Sequence, residues 1–424
     1  MKLKRFVAIV LTIALMAMCF VSCRTKNEVA YTFTYMGQKV DITTALYMCF
    51  MLDADMEFET KATELADEAK TKYESYKELK YEDKDYATWV KDKVKQDCAE
   101  YAFYQVMFDK MGLEGDINGA FISGGDGNYY TAEQFYEAYK DTYSINGVAL
   151  TTYKEYMYNT QYKAPMVYYF YIEEADEVDH SQEGHTHEDG STHPAEETTA
   201  KPLDKEIEAL RGSMVPKDKD IKKALVDNVV PVYQISFSLT TDSGEAVSAD
   251  TKKNFKSLLK GYESDLANGA DIKDVYKQYL VDSGQATSLS EAQVNGEYET
   301  LLFSKEYNEV STNTAEETEN FSAIKKLGVG ETKIVESDEA FTLYVRRDAL
   351  KDKDANGEKY STANEGNIIF FLTYDNFTES TVKEATEKME VEENASAIDY
   401  YTVEKIQQTT TLPIETTTSP YLYE

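Results

Sequence analysis

The N-terminal part of the chain begins with a short alternating stretch and continues with long stretches of helical period. Residues 31–40 alternate apolar and polar positions, which predicts a strand, and Met36-Gly37 predicts a turn within it. Asp41 or Thr43 can cap a helix that carries the apolar run from Leu46 to Leu52. Further helices are predicted over residues 56–80, 85–113, 131–143 and 150–172.

The helix predicted over residues 85–113 has the clearest separation of apolar and polar faces. Its apolar face runs from Trp89 through Cys98 to Phe108, and Gly112 is placed to end it. Tyrosine is abundant on the neighbouring helical stretches, and the whole chain contains 34 tyrosines. Such aromatic rows either fill a core or line a groove that holds partly unfolded polypeptides, because tyrosine and methionine make adaptable contacts. The sequence leaves both interpretations open.

The second half of the chain predicts a mixture of strands and helices. Residues 230–241, VPVYQISFSLTT, predict a strand with Pro231 at its start. A long helix follows and is ended by Asn268-Gly269, and a short helix covers residues 272–279. Residues 321–350 predict a short helix, a glycine turn and two strands. Helix-like patterns also cover residues 204–210, 218–229 and most of 367–392, and residues 397–406 are strand-like.

Residues 176–203 interrupt these patterns with small and charged side chains, which is typical of a disordered linker or insertion. All four histidines of the chain lie here, at His180, His185, His187 and His193. They can bind a divalent metal ion, although ordering a loop around the ion lowers the affinity. A catalytic zinc site is not expected, because it needs three ligands in fixed geometry. A polar spacer without metal explains the same composition.

The first 22 residues have the pattern of a bacterial export signal. Lys2, Lys4 and Arg5 precede the apolar run FVAIVLTIALMAMCFV, which has the length of a signal peptide and is short for a spanning helix. The run ends in FVSC, which resembles a bacterial lipobox, so cleavage before Cys23 would leave that thiol to carry lipid. Acyl chains anchor a protein stably, at roughly 0.8 kcal/mol per buried CH2. An ordinary signal peptide with a chance cysteine is the alternative.

The charge of the chain argues against one class of partner. With 44 Lys and Arg against 77 Asp and Glu, the formal net charge is −33. Such a chain repels phosphate backbones, so we expect no nucleic acid partner. Beyond Cys23, only Cys49 and Cys98 remain, and each lies in an apolar helical pattern. Buried free thiols are therefore expected, with one disulfide as the alternative in an exported protein.

The stretches VYQISFSL, LANGADIKDVYKQYLVDSG and IKKLGVGETKIVESDEAFTLYVRR follow one another in an order that resembles the parvulin domain. The flanking stretches YTFTYMGQKVDITTALYM and VPKDKDIKKALVDNVVPVYQISF are similar to the opening strand and helix, and to the linker, of PrsA/SurA-type foldases. The resemblance covers most of residues 30–407. A lipobox in front fits the PrsA-type lipoproteins of this family.

The resemblance implies a site in which a hydrogen-bonded histidine pair, from the first and last strands, borders an apolar pocket for a proline ring. At the two histidine positions this sequence has Gln234 and Thr342. These side chains can hydrogen-bond to each other across adjacent strands, but neither titrates near neutral pH. Phe321 matches the pocket phenylalanine within one residue, and no cofactor is implied. Phe237 and Phe341 are expected in the core.

Two functions can follow from this loss of histidine. The domain keeps weak peptidyl-prolyl isomerase activity through its apolar pocket, or it is a binding module and the helical domain acts as a chaperone, which we favour. We expect a folding factor on the extracytoplasmic face of a bacterial cell membrane. Its partners would be unfolded exported polypeptides and, through acylated Cys23, the lipid bilayer. A metal- or solute-binding surface lipoprotein that uses the His-rich loop is the alternative.

The expected fold is α+β, with a discontinuous, mainly helical chaperone domain and an inserted parvulin-like domain made of a small antiparallel sheet flanked by helices. The C-terminal return segment is expected to pack on the N-terminal domain. The expected boundaries are a signal peptide over 1–22, a lipid-anchored tether over 23–30, the helical domain over 31–175, the His-rich linker over 176–203, linker helices over 204–227, the parvulin-like domain over 228–350, the return segment over 351–407 and a Thr-rich disordered tail over 408–424.

Overall fold

The computed structural model describes residues 28–115, 121–123, 129–173, 203–241, 244–312 and 317–406. These residues form two units, and the first of them is built from both ends of the chain. It contains the described residues up to Met214 and from Phe377 onward, whereas the second unit is Val215–Asn376. Both units combine helices with small antiparallel sheets, which confirms the α+β class. Residues 351–376, assigned to the return segment from sequence, belong to the second unit.

The chain contains short strands and helices of widely varying length. In chain order the strands are β1 (Val29–Tyr35), β2 (Gln38–Thr43), β3 (Lys80–Tyr81), β4 (Lys84–Asp85), β5 (Phe121–Ser123), β6 (Tyr129–Thr131), β7 (Val229–Ser238), β8 (Glu299–Phe303), β9 (Thr332–Glu336), β10 (Ala340–Arg346) and β11 (Glu390–Glu393). The α-helices are α1 (Thr44–Glu68), α2 (Tyr86–Lys110), α3 (Ala132–Ala138), α4 (Lys140–Ile145), α5 (Leu150–Tyr158), α6 (Ala164–Ile172), α7 (Lys205–Glu208), α8 (Asp218–Asn228), α9 (Ala249–Ala267), α10 (Ile272–Asp282), α11 (Lys305–Thr312), α12 (Phe321–Lys325), α13 (Tyr360–Ala363), α14 (Glu365–Asn376), α15 (Lys383–Glu387) and α16 (Ala395–Ile398). Short 3-10 helices cover Tyr76–Glu78 and Val403–Lys405, and π-helical turns cover Asn159–Lys163 and Phe377–Val382. Within the described ranges, no helix is long and apolar enough to cross a membrane.

The first unit contains a three-stranded antiparallel sheet in the order β11-β1-β2, which joins the two ends of the chain. β1 and β2 form the predicted hairpin, and its turn has left-handed backbone at Met36 (φ 45°) and Gly37 (φ 77°). β11 pairs with the other side of β1. The prediction of a strand at residues 397–406 is wrong. The side chain of Asn394 accepts a hydrogen bond from the Ala397 N–H and so caps the start of α16.

α1 and α2 pack on each other and on this sheet, and the sequence predicts their starts well. Thr43 caps α1 by accepting a hydrogen bond from the N–H of Leu46. α2 is followed by the predicted Gly112, whose φ of 63° is favourable only for glycine and a few other residues. The helix predicted over residues 56–80 is too long, since α1 ends at Glu68 and the chain continues into the β3-β4 hairpin.

Aromatic rings fill much of the core of the first unit. Tyr143 and Tyr153 are buried with their ring centroids 4.6 Å apart, and Tyr156 is buried beside them. These tyrosines therefore belong to the core, which is the first of the two roles expected for the aromatic rows. Cys49 and Cys98 are buried free thiols, as expected, and do not form the alternative disulfide.

The second unit is built on a four-stranded antiparallel sheet in the order β8-β7-β10-β9. α9 and α10 cover one face, where Ile235 and Leu343 of the central strands are buried with Leu259. The ending of α9 at Asn268-Gly269, and the order of short helix, turn and two strands in residues 321–350, confirm the prediction. β8 was not predicted, because its five residues, ETLLF, lie within a polar and acidic stretch.

A partly buried carboxyl group of α1 borders the core of the first unit. Asp53 accepts a hydrogen bond from the hydroxyl of Tyr156. Burial raises the pKa of Asp53 to about 6, although this hydrogen bond and Lys93 act in the opposite direction. One turn along α1, burial alone would raise the pKa of Glu57, but Lys61 at 2.7 Å and Lys93 at 3.4 Å hold it below its usual value. The two carboxyl groups therefore affect stability oppositely as the pH changes.

We predict that Asp53 destabilises the first unit as the pH rises. The pKa of Asp53 is higher in the folded than in the unfolded chain. The contribution of protonated Asp53 to the free energy of unfolding is therefore complete below about pH 4, and it is lost as the pH rises through about 6. Asp53→Asn keeps an acceptor for Tyr156 and removes the charge. The variant should therefore exceed the wild type in unfolding free energy by roughly 1–3 kcal/mol at about pH 7.5 and match it near pH 4.

Urea unfolding followed by the fluorescence of Trp89, the single tryptophan of the chain, measures this effect in the first unit alone. Glu57→Gln is the matched control. Because the pKa of Glu57 is lowered in the folded state, this variant should lose stability at about pH 7.5. The interpretation fails if Asp53→Asn is less stable than the wild type at both pH values.

Candidate functional site

Gln234 and Thr342, two of the predicted site residues of the second unit, lie on β7 and β10. The two strands are adjacent and antiparallel, as a contact between Gln234 and Thr342 requires. The register, however, puts Thr342 opposite Ser236 and Tyr344 opposite Gln234. The hydroxyl oxygens of Ser236 and Thr342 lie 2.9 Å apart, so Ser236 makes the cross-strand hydrogen bond that was expected from Gln234. Gln234 is a diagonal neighbour of Thr342 on the same face.

Tyr344 extends this group of polar side chains. Burial raises the pKa of its phenol, whereas hydrogen bonds with the side chains of Asn320 and Thr342 act in the opposite direction. Asn320 precedes α12 and has left-handed backbone, with φ of 69°, which asparagine adopts more readily than most residues. We call Gln234, Ser236, Thr342, Tyr344 and Asn320 the polar cluster.

Phe321 lies on the same face of the sheet as the polar cluster. It is 4% exposed and packs with Val232 and Tyr344. Arg346, at the end of β10, donates a hydrogen bond to the carbonyl oxygen of Lys325 at 2.7 Å and so holds the last turn of α12 on the sheet. The structure therefore places Phe321 on the sheet face that carries Gln234 and Thr342, and β10 holds the helix of Phe321 there through Arg346.

The opposite face of β7 supports the polar cluster. Phe237 and Phe341 are buried there, as expected. Tyr279 of α10 donates a hydrogen bond to the backbone carbonyl oxygen of Ser236 at 2.8 Å and accepts one from Gln285 at 3.2 Å. A buried phenol that satisfies a backbone oxygen fixes the strand against α10, so the hydroxyl of Ser236 has a defined position.

The polar cluster offers hydrogen-bond donors and acceptors but contains no group that transfers protons near neutral pH. Hydroxyl and amide side chains do not titrate in that range, and burial moves the pKa of Tyr344 further above it. The four histidines of the chain all lie within residues 180–193. Thr342 and Tyr344 are buried, so the partly exposed Gln234, Ser236 and Asn320 are the members of the cluster that can meet a polar ligand. General acid–base catalysis needs a group from elsewhere.

The other predicted site residues lie outside the described residues. These are the lipidation candidate Cys23 and the metal candidates His180, His185, His187 and His193. In the part of the chain that the structure describes, no three or more His, Cys, Asp or Glu side chains are grouped to hold a metal ion. Lipid attachment and metal binding by the loop stay predictions.

Comparison with known proteins gives no family assignment for this chain. No protein-family model matches the sequence, and no curated protein matches it. The assignment of residues 228–350 to a parvulin-like domain therefore rests on the resemblance of the quoted stretches.

Ser236 and Tyr344 were not predicted as site residues. The sequence contains a pattern that points to Ser236, because residues 234–238, QISFS, alternate polar and apolar side chains. This alternation predicts one polar face for β7. It does not predict the register of β7 against β10, which decides that Ser236 meets Thr342.

We predict that Ser236 and Thr342 are energetically coupled and that Gln234 and Thr342 are not. In a double-mutant cycle of Ser236→Ala and Thr342→Val, the coupling should be about 0.5–1.5 kcal/mol, because each single variant removes the same hydrogen bond between the two hydroxyls. The matched cycle of Gln234→Ala and Thr342→Val should be additive within about 0.5 kcal/mol. Hydrogen exchange of fragments that span β7 and β10 measures the local stability. Coupling in the second cycle alone would contradict the register.

Proposed function

We propose that this chain is a membrane-anchored, extracytoplasmic folding factor that binds unfolded exported polypeptides and has weak or no peptidyl-prolyl isomerase activity. The observation that carries the proposal is the adjacency of β7 and β10 at the centre of a small antiparallel sheet, with Phe321 on one face. The parvulin resemblance implies a site between the first and last strands of such a sheet, beside a phenylalanine. The adjacency supports the proposal, although Gln234 and Thr342 stand at the histidine positions.

The chemistry of the polar cluster supports the weak or absent isomerase activity. Rotation about a peptide bond has a barrier of about 18–20 kcal/mol because of amide resonance. The partly exposed Ser236 and Gln234 can hydrogen-bond to a bound backbone, but with Thr342 they supply no titrating imidazole to that site. Binding without efficient catalysis is therefore the outcome that these side chains favour.

A groove of about 480 Å³ in the first unit supports binding of unfolded polypeptides. Its lining includes Tyr35, Met36, Met107, Leu210 and Met214. Met36 is 41% exposed, so an apolar and flexible side chain stands open to solvent at this groove. Methionine adapts to ligands of different shape, which suits a surface that must accept many sequences.

The net charge of −33 supports a preference among clients. An acidic surface attracts basic polypeptides and repels anionic polymers, and its effect on the association rate falls as salt screens the charges. Basic unfolded chains are therefore the clients that this protein would hold most effectively.

We predict that the soluble chain, residues 24–424, does not accelerate cis–trans isomerisation of proline tetrapeptides above the uncatalysed rate. Gln234→Ala and Thr342→Ala should behave like the wild type, because the polar cluster contributes binding and no proton transfer. The same wild-type sample should suppress aggregation of an unfolded basic protein, measured by light scattering, more strongly than that of an acidic one. Catalysis above background that falls in both alanine variants would show that Gln234 and Thr342 take part in catalysis and would contradict this prediction. A lack of aggregation suppression would contradict the folding-factor part.

We also predict that Cys23 carries the membrane anchor. In the full-length chain, Cys23→Ser should move the protein from the membrane fraction to the soluble fraction, because acyl chains on the thiol supply the anchoring free energy. Cys49→Ser is the matched control, since this thiol is buried within α1 and should not affect the distribution. Retention of Cys23→Ser at the membrane would argue for an uncleaved apolar anchor.

A further inference from the structure

β11 is an exposed edge strand. All four of its residues, Glu390–Glu393, are exposed, and in the part of the chain that the structure describes its one strand neighbour is β1. Such an edge presents unpaired backbone N–H and C=O groups to any chain that can pair with it. Three of the four residues of the strand, EVEE, are glutamates, so a second copy of β11 is repelled and a strand of opposite charge is not.

The register of the sheet identifies the outward-facing backbone groups. The N–H of Asn394 donates to the carbonyl oxygen of Ala30 at 2.9 Å, so these two residues form a hydrogen-bonded pair. Along an antiparallel ladder such pairs alternate with pairs whose backbone groups face away. Glu393 and Val391, one and three residues before Asn394, therefore direct their N–H and C=O groups toward the free edge.

A groove of about 570 Å³ borders this edge on the face of the sheet that carries Val391 and Phe33. One side of α2, including Ala99, and residues 378–387 form its walls. Phe33 and Val391 give the groove an apolar floor, and Val391 is 39% exposed. Its walls also carry the carboxylates of Asp92, Glu100, Glu379 and Glu387, so the apolar contact is made at the floor and the rim is acidic. A strand that pairs with β11 would direct every second side chain into this groove, where an apolar side chain would be buried.

The other face of the edge is acidic. Glu390 and Glu392 project there, because side chains alternate along β11. Glu392 lies 3.0 Å from Lys39, so an incoming cation competes for that carboxylate. The two cations that line the groove, Lys95 and Lys383, each lie 3.4 Å from a glutamate and are already neutralised. The edge therefore favours basic side chains at the positions that alternate with the apolar ones.

We propose that β11 binds an extended polypeptide segment with alternating basic and apolar side chains by adding it to the sheet as a further strand. The backbone groups of Val391 and Glu393 bond to the segment, the groove takes its apolar side chains, and Glu390 and Glu392 face its basic ones. The inference rests on the proposed function, because the partner is a segment of an unfolded client.

The test uses a fluorescein-labelled octapeptide of alternating lysine and valine and the soluble chain, with binding followed by fluorescence anisotropy. The octapeptide should bind the wild type, and the same peptide with N-methyl groups on its edge-facing amides should bind at least roughly tenfold more weakly. An octapeptide of alternating glutamate and valine should also bind at least roughly tenfold more weakly. Glu390→Gln combined with Glu392→Gln should weaken lysine-peptide binding and reduce its salt dependence.

Two substitutions of Val391 separate the contribution of its backbone N–H to binding from that of its side chain. Val391→Pro removes an edge-facing N–H that does not bond to β1, and proline is tolerated at such edge positions, so the Kd should rise at least roughly tenfold. Val391→Ala keeps the N–H and should change the Kd by less than about threefold. Trp89 fluorescence during urea unfolding checks that both variants are folded. The N-methylated peptide tests the same bonds with wild-type protein.

Equal binding of the N-methylated and unmodified peptides would overturn strand addition, and equal binding of the acidic and basic peptides would overturn the assigned partner. Aggregation assays distinguish these failures from failure of the proposed function. If the wild type and Val391→Pro protect an unfolded basic protein equally well, the edge is not the binding surface and the folding-factor function stands. If the wild type neither protects the client nor binds the octapeptide, both proposals fail.

Discussion

The antiparallel pairing of β7 with β10 determines most of what the second unit can do. Its register runs from Ala340 opposite Ser238 to Arg346 opposite Val232. Because side chains alternate along each strand, this register sends the apolar set toward α9 and α10 and the polar cluster toward α12. A slip of one residue would place hydroxyl groups against α9 and α10 and move apolar positions to the face that α12 covers. Burial of Ile235 and Leu343 on one face fixes the register, and the same register brings Ser236 and Thr342 together on the other face.

The sheet of the first unit depends on the pairing of β1 with β11, two strands that are far apart in the sequence. Thr34 of β1 lies opposite Glu390 of β11, so its sheet is complete only when the two ends of the chain meet. Closing a long loop has an entropic cost that grows slowly with length, and long-range contacts form late in folding. β11 is also short, and all four of its residues are exposed; such edge elements open more easily than buried ones. A strand with these properties contributes little to the core and is available to pair with other chains.

Local features of the fold could be predicted from sequence, because they depend on neighbouring residues. Thr43 caps α1 through its own side chain, and Gly112 ends α2 through a backbone angle that glycine favours. Features that depend on distant residues could not be predicted. The strand at Glu390–Glu393 has no alternation of its own and exists because β1 offers an edge, and the bond between Ser236 and Thr342 follows from a register set by the whole sheet.

The two surfaces proposed for binding differ in the selectivity that their chemistry would give. The polar cluster holds hydroxyl, amide and phenol groups in fixed positions, so a ligand must match their geometry. β11 offers backbone groups, which every polypeptide can bond, and selects by charge and by alternation. Backbone pairing accepts many sequences, whereas the glutamates exclude acidic strands, including a copy of β11 itself. A surface of this kind suits unfolded clients, which share an extended backbone and little else, better than a site that requires one side-chain arrangement.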